Sequence, residues 1–444
     1  MKKIGVFICN YNKADYVVRC VQAIKEQTYP ELDIFVIDNA SLDDSVERLK
    51  AFFGNTITIL ENKENLGGSG GFGRGIRTAL EIGYEYFMLV DNDAFLDKRA
   101  VEYLYQYMES HQDTGICGAE TLNLQEPDKI QDLGGRIDLE EFQWQGVIGG
   151  LIELEGNAIL ECDYVASCSV MARTEAVRQF GGFPEDNFIY WDDVEWCTKC
   201  WQAGYKVVVN GWAKAYHDMS GANIENMFLS YYANRNRYRF FAQYLPEDKL
   251  ENFFRVIAEE FFSRNYAAIA KEKKGTVLTS WHALDDFFCG RTGKAEEGRI
   301  VPYEKGRDRL AEFIAAWNSV LLYMPQKRNC DYQGLEKIFR YLMKQKKELK
   351  IQVTFHLKRE DLSAYDAVLQ LCEHVNGVEE NILPVIYLDP WMNCILDEMD
   401  YQYFCIYKKA LDNFLELCKP LFERQVSFLR RERSRGKEGL QYLG

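Results

Sequence analysis

Strand-like and helix-like stretches alternate without interruption through the first ~120 residues of this chain, and that rhythm leaves few architectures open. Residues 3–9 (KIGVFIC) form a continuous apolar run, the pattern of a strand buried on both faces. A helix is predicted from Ala14 to Gln27, with Val17, Val18, Val21 and Ile24 on one side and Pro30 closing it. Next come a strand at 32–37, a helix opened by Ser41 with Asp43 and Asp44 in its first turn, and a strand at 56–60. A glycine-rich turn, a helix to Gly83 and a strand at 86–90 complete the series. This βαβ succession predicts an α/β fold around a mostly parallel sheet with right-handed crossovers.

Ligands of such sheets sit at the carboxyl ends of the strands. The polar residues fall there: Asn10 to Asn12 after the first strand, Asp38 and Asn39 after the second, Asp91 to Asp93 after the fourth. Asp91-Asn92-Asp93 places two alternating carboxylates at a strand end, a pattern suited to a hard cation such as Mg2+ or Mn2+ shared with substrate phosphates. An Asx-rich turn has the same composition. Gly67-Gly68-Ser69-Gly70-Gly71-Phe72-Gly73-Arg74-Gly75 lets a backbone approach a ligand closely, offers helix-start N–H groups to phosphate, and adds the Arg74 charge. Residues 68–73 also spell G-x-G-x-x-G, but the dinucleotide fingerprint belongs after the first strand of its unit. Here that strand ends in Cys9-Asn10-Tyr11-Asn12.

Trp191-Asp192-Asp193-Val194-Glu195 opens a predicted helix over 192–203. Acids are favoured at a helix start by the dipole alone, yet three between two tryptophans also suit a general base facing an acceptor hydroxyl. His217, one of five histidines, follows a short strand that begins near Lys206; a neutral imidazole is acceptable to Mn2+. Cys197 and Cys200 form a C-x-x-C with no second pair to complete a zinc site, so core-facing thiols are expected.

Residues 164–172 read as a buried strand, and the paired glycines Gly134–Gly135 and Gly149–Gly150 suggest hairpins or loops. From about Asn223 the pattern is helical and aromatic, with α/β character near 349–357 and 383–388. A boundary is expected near 245, with a mainly helical region over 246–444. Its role is open: oligomerisation, acceptor contacts or membrane-surface contacts.

The net charge of −15 argues against a protein that coats nucleic acid. The 27 Tyr, 27 Phe and 8 Trp exceed what a core requires, and sugars are often held against aromatic faces. Thirteen scattered cysteines and a start with no signal-peptide pattern lead to an expectation of cytoplasmic, reduced thiols. Arg430, Arg431, Arg433, Arg435 and Lys437 make a basic tail that suits either solvent or an anionic membrane surface, the latter giving peripheral contact at the inner face of the cell membrane.

Taken in order, CNYNKADYVVRCVQAI, VIDNAS, ENLGGSGGFGRG, LVDNDAFL, GGFPEDNFIYWDDVEWCTKCWQAGYKV and AYHD resemble the inverting family 2 glycosyltransferases of GT-A fold, over roughly residues 3–245. The nearest branch is the galactofuranosyltransferase- and rhamnosyltransferase-like one. The resemblance implies a UDP- or dTDP-sugar donor, a glycan or lipid-linked glycan acceptor and a role in cell-surface polysaccharide synthesis. Asn10, Asn12, Asp38, Asn65, Gly67, Gly68, Gly71, Arg74, Asp91 and Asn92 would hold the donor, Asp38 through the base or ribose. Asp91, Asp93 and His217 would bind Mn2+ or Mg2+. Asp193 would be the base, with Asp192 its rival and Glu195 supporting or binding acceptor; Arg235 and Asn236 would sit nearby. Asn92 departs from the Asp common in galactofuranosyltransferases, which loosens the identity of the sugar. A homo-oligomer is compatible with the helical half. Two other readings stay open: a nicotinamide-dependent sugar-nucleotide oxidoreductase, and a catalytically inactive carbohydrate-binding protein.

Overall fold

The first apolar run forms β1 (Ile4–Asn10), buried along its whole length because the sheet it enters is covered on both faces. The computed structural model describes residues 2–146, 158–218, 226–325, 332–373, 375, 378 and 384–441, the side chains of 332, 333 and 435–441 excepted. Gly149–Gly150, Asn223 and residue 383 lie outside the described residues, as do the side chains of Arg435 and Lys437.

The chain divides into two compact units, one of Met1–Leu250, His282–Ile300 and Glu423–Gly444, the other of Glu251–Trp281 and Val301–Phe422. The main stretch of the first ends at Leu250, and two later segments, within the region 246–444 of the sequence reading, belong to it as well.

In the first unit β1 is followed by α1 (Ala14–Lys25), β2 (Leu32–Asp38), α2 (Ser45–Phe53), β3 (Thr58–Glu61), α3 (Gly67–Ile82) and β4 (Tyr86–Asp91). Then come β5 (Ala94–Leu96), α4 (Ala100–Ser110), β6 (Thr114–Asn123), β7 (Ile130–Asp132), β8 (Gly135–Asp138) and β9 (Gln143–Gly146). The series ends with β10 (Ile159–Cys162), β11 (Ser169–Arg173), α5 (Thr174–Phe180), α6 (Asp192–Gln202), β12 (Lys206–His217) and α7 (Met227–Tyr244).

The central sheet runs β10-β12-β6-β11-β4-β1-β2-β3. Strands β3, β2, β1 and β4 are mutually parallel, as are β6 and β12, while β11 runs antiparallel between β4 and β6. This is the expected α/β architecture. Val17, Val21 and Ile24 of α1 pack with Val6 and Ile8 of β1 in its core. The register pairs Asn10 with Asp38 and Cys9 with Asp91, so the polar residues share one sheet edge.

Three local expectations shift. Helix α2 opens at Ser45 rather than Ser41, because the Ser41 hydroxyl and N–H donate to Asp38 (2.6 and 2.9 Å) and tie that residue into a loop. The glycines after Asn65 are no turn but the first turns of α3 itself. β11 begins only at Ser169, since Tyr164 bridges to Gly135 instead. Cys197 and Cys200 are buried on α6, as expected.

The basic tail is part of a long helix. Arg430 donates to the carbonyls of Ala242 (3.1 Å) and Leu245 (2.5 Å), and Arg433 to Gln243 (3.0 Å). These guanidiniums satisfy the otherwise unpaired carbonyls at the C-terminus of α7, where positive charge also suits the dipole. They serve the fold, not a solvated tail.

The remaining elements are α8 (Leu250–Ala270), α9 (Lys274–Cys289), α10 (Arg309–Ala316), β13 (Ser319–Tyr323), α11 (Tyr332–Gln345), β14 (Lys350–Thr354) and α12 (Asp361–Ala364), then β15 (Ala367–Leu371), β16 (Val385–Leu388), β17 (Cys394–Ile395) and α13 (Glu398–Gln441). The C-terminal region is largely helical, and the second unit also holds a sheet in the order β14-β13-β15-β16-β17, parallel except for β17. Val320, Leu322, Ile338, Leu369 and Leu388 form its core. No described helix is long and apolar enough to cross a membrane.

Candidate active site

Strand β4 ends at Asp91 and β5 starts at Ala94, so Asn92 and Asp93 make the turn between them. β12 runs antiparallel to β5 with His217 opposite Ala94, which carries the imidazole beside Asp93. His217 Nε2 lies 3.3 Å from Asp93 Oδ1, and Asp91, Asp93 and His217 offer ligand atoms all within 4.8 Å of one another. Lys13 Nζ pairs with the other Asp93 oxygen. Burial pushes Asp91 up to about 6, and the Asp93 charge adds to that. Burial would also raise Asp93, but His217 and Lys13 hold it below the usual carboxylate range. Burial would lower His217, yet Asp93 and Asp91 hold it above its ordinary value.

Two hard oxygens and an imidazole nitrogen fit Mn2+ or Mg2+, with substrate phosphate and water completing the shell. The surroundings support that fit. His217 Nδ1 lies 2.7 Å from the Gln131 amide nitrogen, while Gln131 Oε1 is buried without a partner. Turning the amide by half a turn lets Oε1 accept from Nδ1–H, and the Nε2 lone pair then faces the acids.

The carboxylates of α6 are delivered by an unusual stretch of backbone. Phe188, Tyr190 and Trp191 have φ of +69°, +65° and +65°, each a left-handed conformation costing about 1–3 kcal/mol. Helix α7 holds them there. Asn236 Nδ2 donates to the carbonyls of Asn187 (3.0 Å), Ile189 (2.8 Å) and Tyr190 (3.0 Å), and Arg235 Nη2 to that of Asn187 (3.0 Å).

The same stretch touches the start of α3. Phe188 O accepts from Ser69 N (3.1 Å), and a Cβ on Gly67 (φ +74°) would lie 2.0 Å from that oxygen. Four residues on, a Cβ on Gly71 would meet Cys9 Sγ at 2.3 Å. The glycines therefore serve close packing of α3 as much as ligand approach.

Ser69 Oγ donates to Asp192 Oδ2 (2.6 Å), and Asp192 Oδ1 accepts from Asp193 N (3.1 Å), so both Asp192 oxygens are engaged. Asp193 Oδ1 accepts from Val194 N (2.8 Å). Burial pushes Asp193 up to about 8, with the charges of Asp192, Asp132 and Asp91 adding to it. Asp192 in turn raises Asp91, so the two acid groups share one electrostatic neighbourhood. Glu195 faces elsewhere: it pairs with Lys199 (3.3 Å) along α6 and accepts from Tyr244 OH (3.3 Å) of α7.

A cavity of about 570 Å³ is lined by Asp91, whereas Asp93, Asp192, Asp193 and His217 are not among its lining residues. Asn65, Gly67, Gly68, Asp91 and Asn92 line it, as expected of donor residues. Asn10, Asn12, Asp38, Gly71 and Arg74 do not; the fold uses them first. Asn10 donates to Asp38 (3.0 Å) and accepts from Asn92 (2.8 Å), and Asn12 Oδ1 accepts from Leu42 N (2.7 Å). Arg74 Nη1 donates to Glu61 O (2.8 Å) and Asn62 Oδ1 (2.5 Å). Tyr11, Lys13, Phe188, Phe228, Tyr232 and residues 294–298 also line the cavity. No motif marks Gln131 or 294–298 in the sequence, because their partners are remote along the chain.

Residues 5–147 match the family model described as glycosyl transferase family 2. The chain is 31% identical over 117 residues to glycosyltransferase GlyG of Streptococcus pneumoniae serotype 4, covering 26% of this chain and 38% of GlyG. It is 24% identical over 316 residues to galactofuranosyltransferase GlfT2 of Mycobacterium tuberculosis, covering 65% of this chain and 48% of GlfT2. It therefore spans less than half the length of either relative. Among solved structures, GalNAc-T7 with UDP, GalNAc and Mn2+ overlaps 59% of this chain and 51% of its own, at 14% identity and a TM-score of 0.48. The oxidoreductase alternative loses its footing, since glycines 68–73 lie inside α3 rather than in a strand-to-helix turn after β1. In residues 5–147 the chain carries a family 2 glycosyltransferase domain.

Proposed function

We propose that the protein is an inverting glycosyltransferase moving a sugar from a nucleoside-diphosphate donor, UDP- or dTDP-linked, to a hydroxyl of a glycan or lipid-linked glycan acceptor in cell-surface polysaccharide synthesis. The observation that carries this reading is the convergence of Asp91, Asp93 and His217 at a sheet edge within electrostatic reach of Asp192 and Asp193. The kinship with GlfT2 makes galactofuranose a leading sugar.

Asp193 is the base, because the Asp192 oxygens are already held by Ser69 and the Asp193 N–H. The Asp193 carboxylate takes the proton of the acceptor hydroxyl; the hydroxyl oxygen bonds to the anomeric carbon from the face opposite the diphosphate. The bond from that carbon to the diphosphate oxygen breaks, its electron pair leaves with the diphosphate, and the configuration inverts. Asp91, Asp93 and His217 would hold Mn2+ or Mg2+, which supplies neutralisation of the leaving diphosphate. Asp192 fixes the start of α6, and Asn236 fixes the backbone leading into it.

The test is a thermal-shift screen of UDP- and dTDP-sugars with and without Mn2+, followed by transfer assays on the best donor. Mn2+-dependent stabilisation by one nucleotide class, with a product of inverted anomeric configuration, is expected. Retained configuration, or tight NAD(H) binding with no response to nucleotide sugars, would overturn the reading.

A further inference from the structure

Residues Gly290–Ile300 form a strap that belongs to the first unit although it lies far beyond the matched family region. Its fastening is dense. Gly293 N donates to Asp186 O (2.6 Å), Arg235 Nη1 to Gly293 O (3.0 Å), and Ala295 N to Tyr232 OH (2.8 Å). Farther along, Arg299 pairs with the buried Asp286, which also receives Arg291 (2.8 Å) and Tyr231 OH, and His282 Nδ1 meets Arg299 O (2.7 Å). Ala295 and Ile300 pack against Phe188, Tyr231 and Tyr232. Lys294 to Gly298 are thus held on both sides, and they line the same cavity as Asn65, Gly67, Gly68 and Asp91.

A nucleoside diphosphate entering that cavity needs positive charge beyond a single cation, because Asp91, Glu296 and Glu297 are already there. The lining residues include two lysines. Lys13 is paired with Asp93, and Arg74 lies off the cavity, bonded to Glu61 and Asn62. Among the described residues, no carboxylate pairs with Lys294.

We propose that Lys294 is the cation that grips the donor's diphosphate, brought to the family 2 site by a strap from outside the family domain. This rests on the transferase reading of the same cavity. It gives Lys294 the part that the sequence assigns to Arg74. It also explains why a loop reading Lys-Ala-Glu-Glu, otherwise fit only for solvent, is anchored at Gly293, Ala295 and Arg299.

The experiment is calorimetric titration of the full chain with UDP and with uridine in Mn2+, at low and high salt, with dTDP and thymidine as the parallel pair. Lys294→Ala should weaken binding of the diphosphate about tenfold, leave the nucleoside unchanged and flatten the salt dependence. Lys294→Arg should restore most of the lost affinity. Unchanged diphosphate affinity in Lys294→Ala overturns the proposal. So does an equal loss for diphosphate and nucleoside, which would make the strap a structural wall only. If the wild-type chain binds neither diphosphate, the transferase reading falls along with it; diphosphate binding that survives Lys294→Ala sinks this inference alone.

Discussion

Among the described residues, two sheets contain runs of parallel strands alternating with helices, yet the residues at their carboxyl edges are arranged differently. In the first unit Asp91, Asp93 and His217 converge; Asp91 is raised by burial and by the charges of Asp93 and Asp192, and Asp193 by burial and by those of Asp192, Asp132 and Asp91. In the second, the acid that follows β16 is Asp389, also buried, but its oxygens accept from Trp391 N (3.0 Å), Asn393 N (3.0 Å) and Asn393 Nδ2 (3.0 Å). That carboxylate builds a turn. Topology provides a place for chemistry at both edges; like charges crowded together, with ligand atoms facing one point, set the first edge apart.

The comparison can be broken or sharpened in steps. The largest effect is expected from Asp193→Asn, which should cut transfer about 10²–10⁴-fold while UDP binding persists, read by product formation against calorimetry. Loss of both together would make Asp193 structural. Gln131→Leu should weaken Mn2+ binding about 10–100-fold by releasing the His217 ring, measured by metal titration. Asp389→Ala in the second sheet should cost about 1–3 kcal/mol of stability in denaturant unfolding and leave UDP affinity untouched. A fall in UDP affinity there would erase the distinction between the sheets.

The smallest effect concerns pH. A base must be ionised to accept a proton, and Asp193 is pushed up to about 8, so transfer should rise with pH toward that value. Asp132→Asn removes a neighbouring negative charge, makes ionisation of Asp193 easier and should move the rising limb of kcat/KM to lower pH. A limb that moves upward would contradict the arrangement of charges.

The strand ends were legible in sequence because each is local: an apolar run followed at once by Asn10, Asp38 or Asp91 announces both the strand and its edge. His217 was legible through scarcity and the need for a further ligand, and its meeting with Asp93 depends on the pairing of β12 with β5, which no local pattern reports. Asn12, Asp38 and Arg74 have the chemistry expected of donor residues, and their hydrogen bonds to nearby backbone groups are a second use that composition does not report. Strands β13 and β15 are five-residue apolar runs inside a largely helical region, too short for periodicity to separate from helix. The strap at 293–298 reads as a solvated loop until Asp186, Tyr232 and Arg235 come to meet it.

Helix α3 and the backbone leading into α6 meet at Ser69, which donates its N–H to Phe188 O and its hydroxyl to Asp192. Ser69 therefore ties the glycine wall of the cavity to the first acid of α6, so that a substitution at this one small side chain would be felt at both.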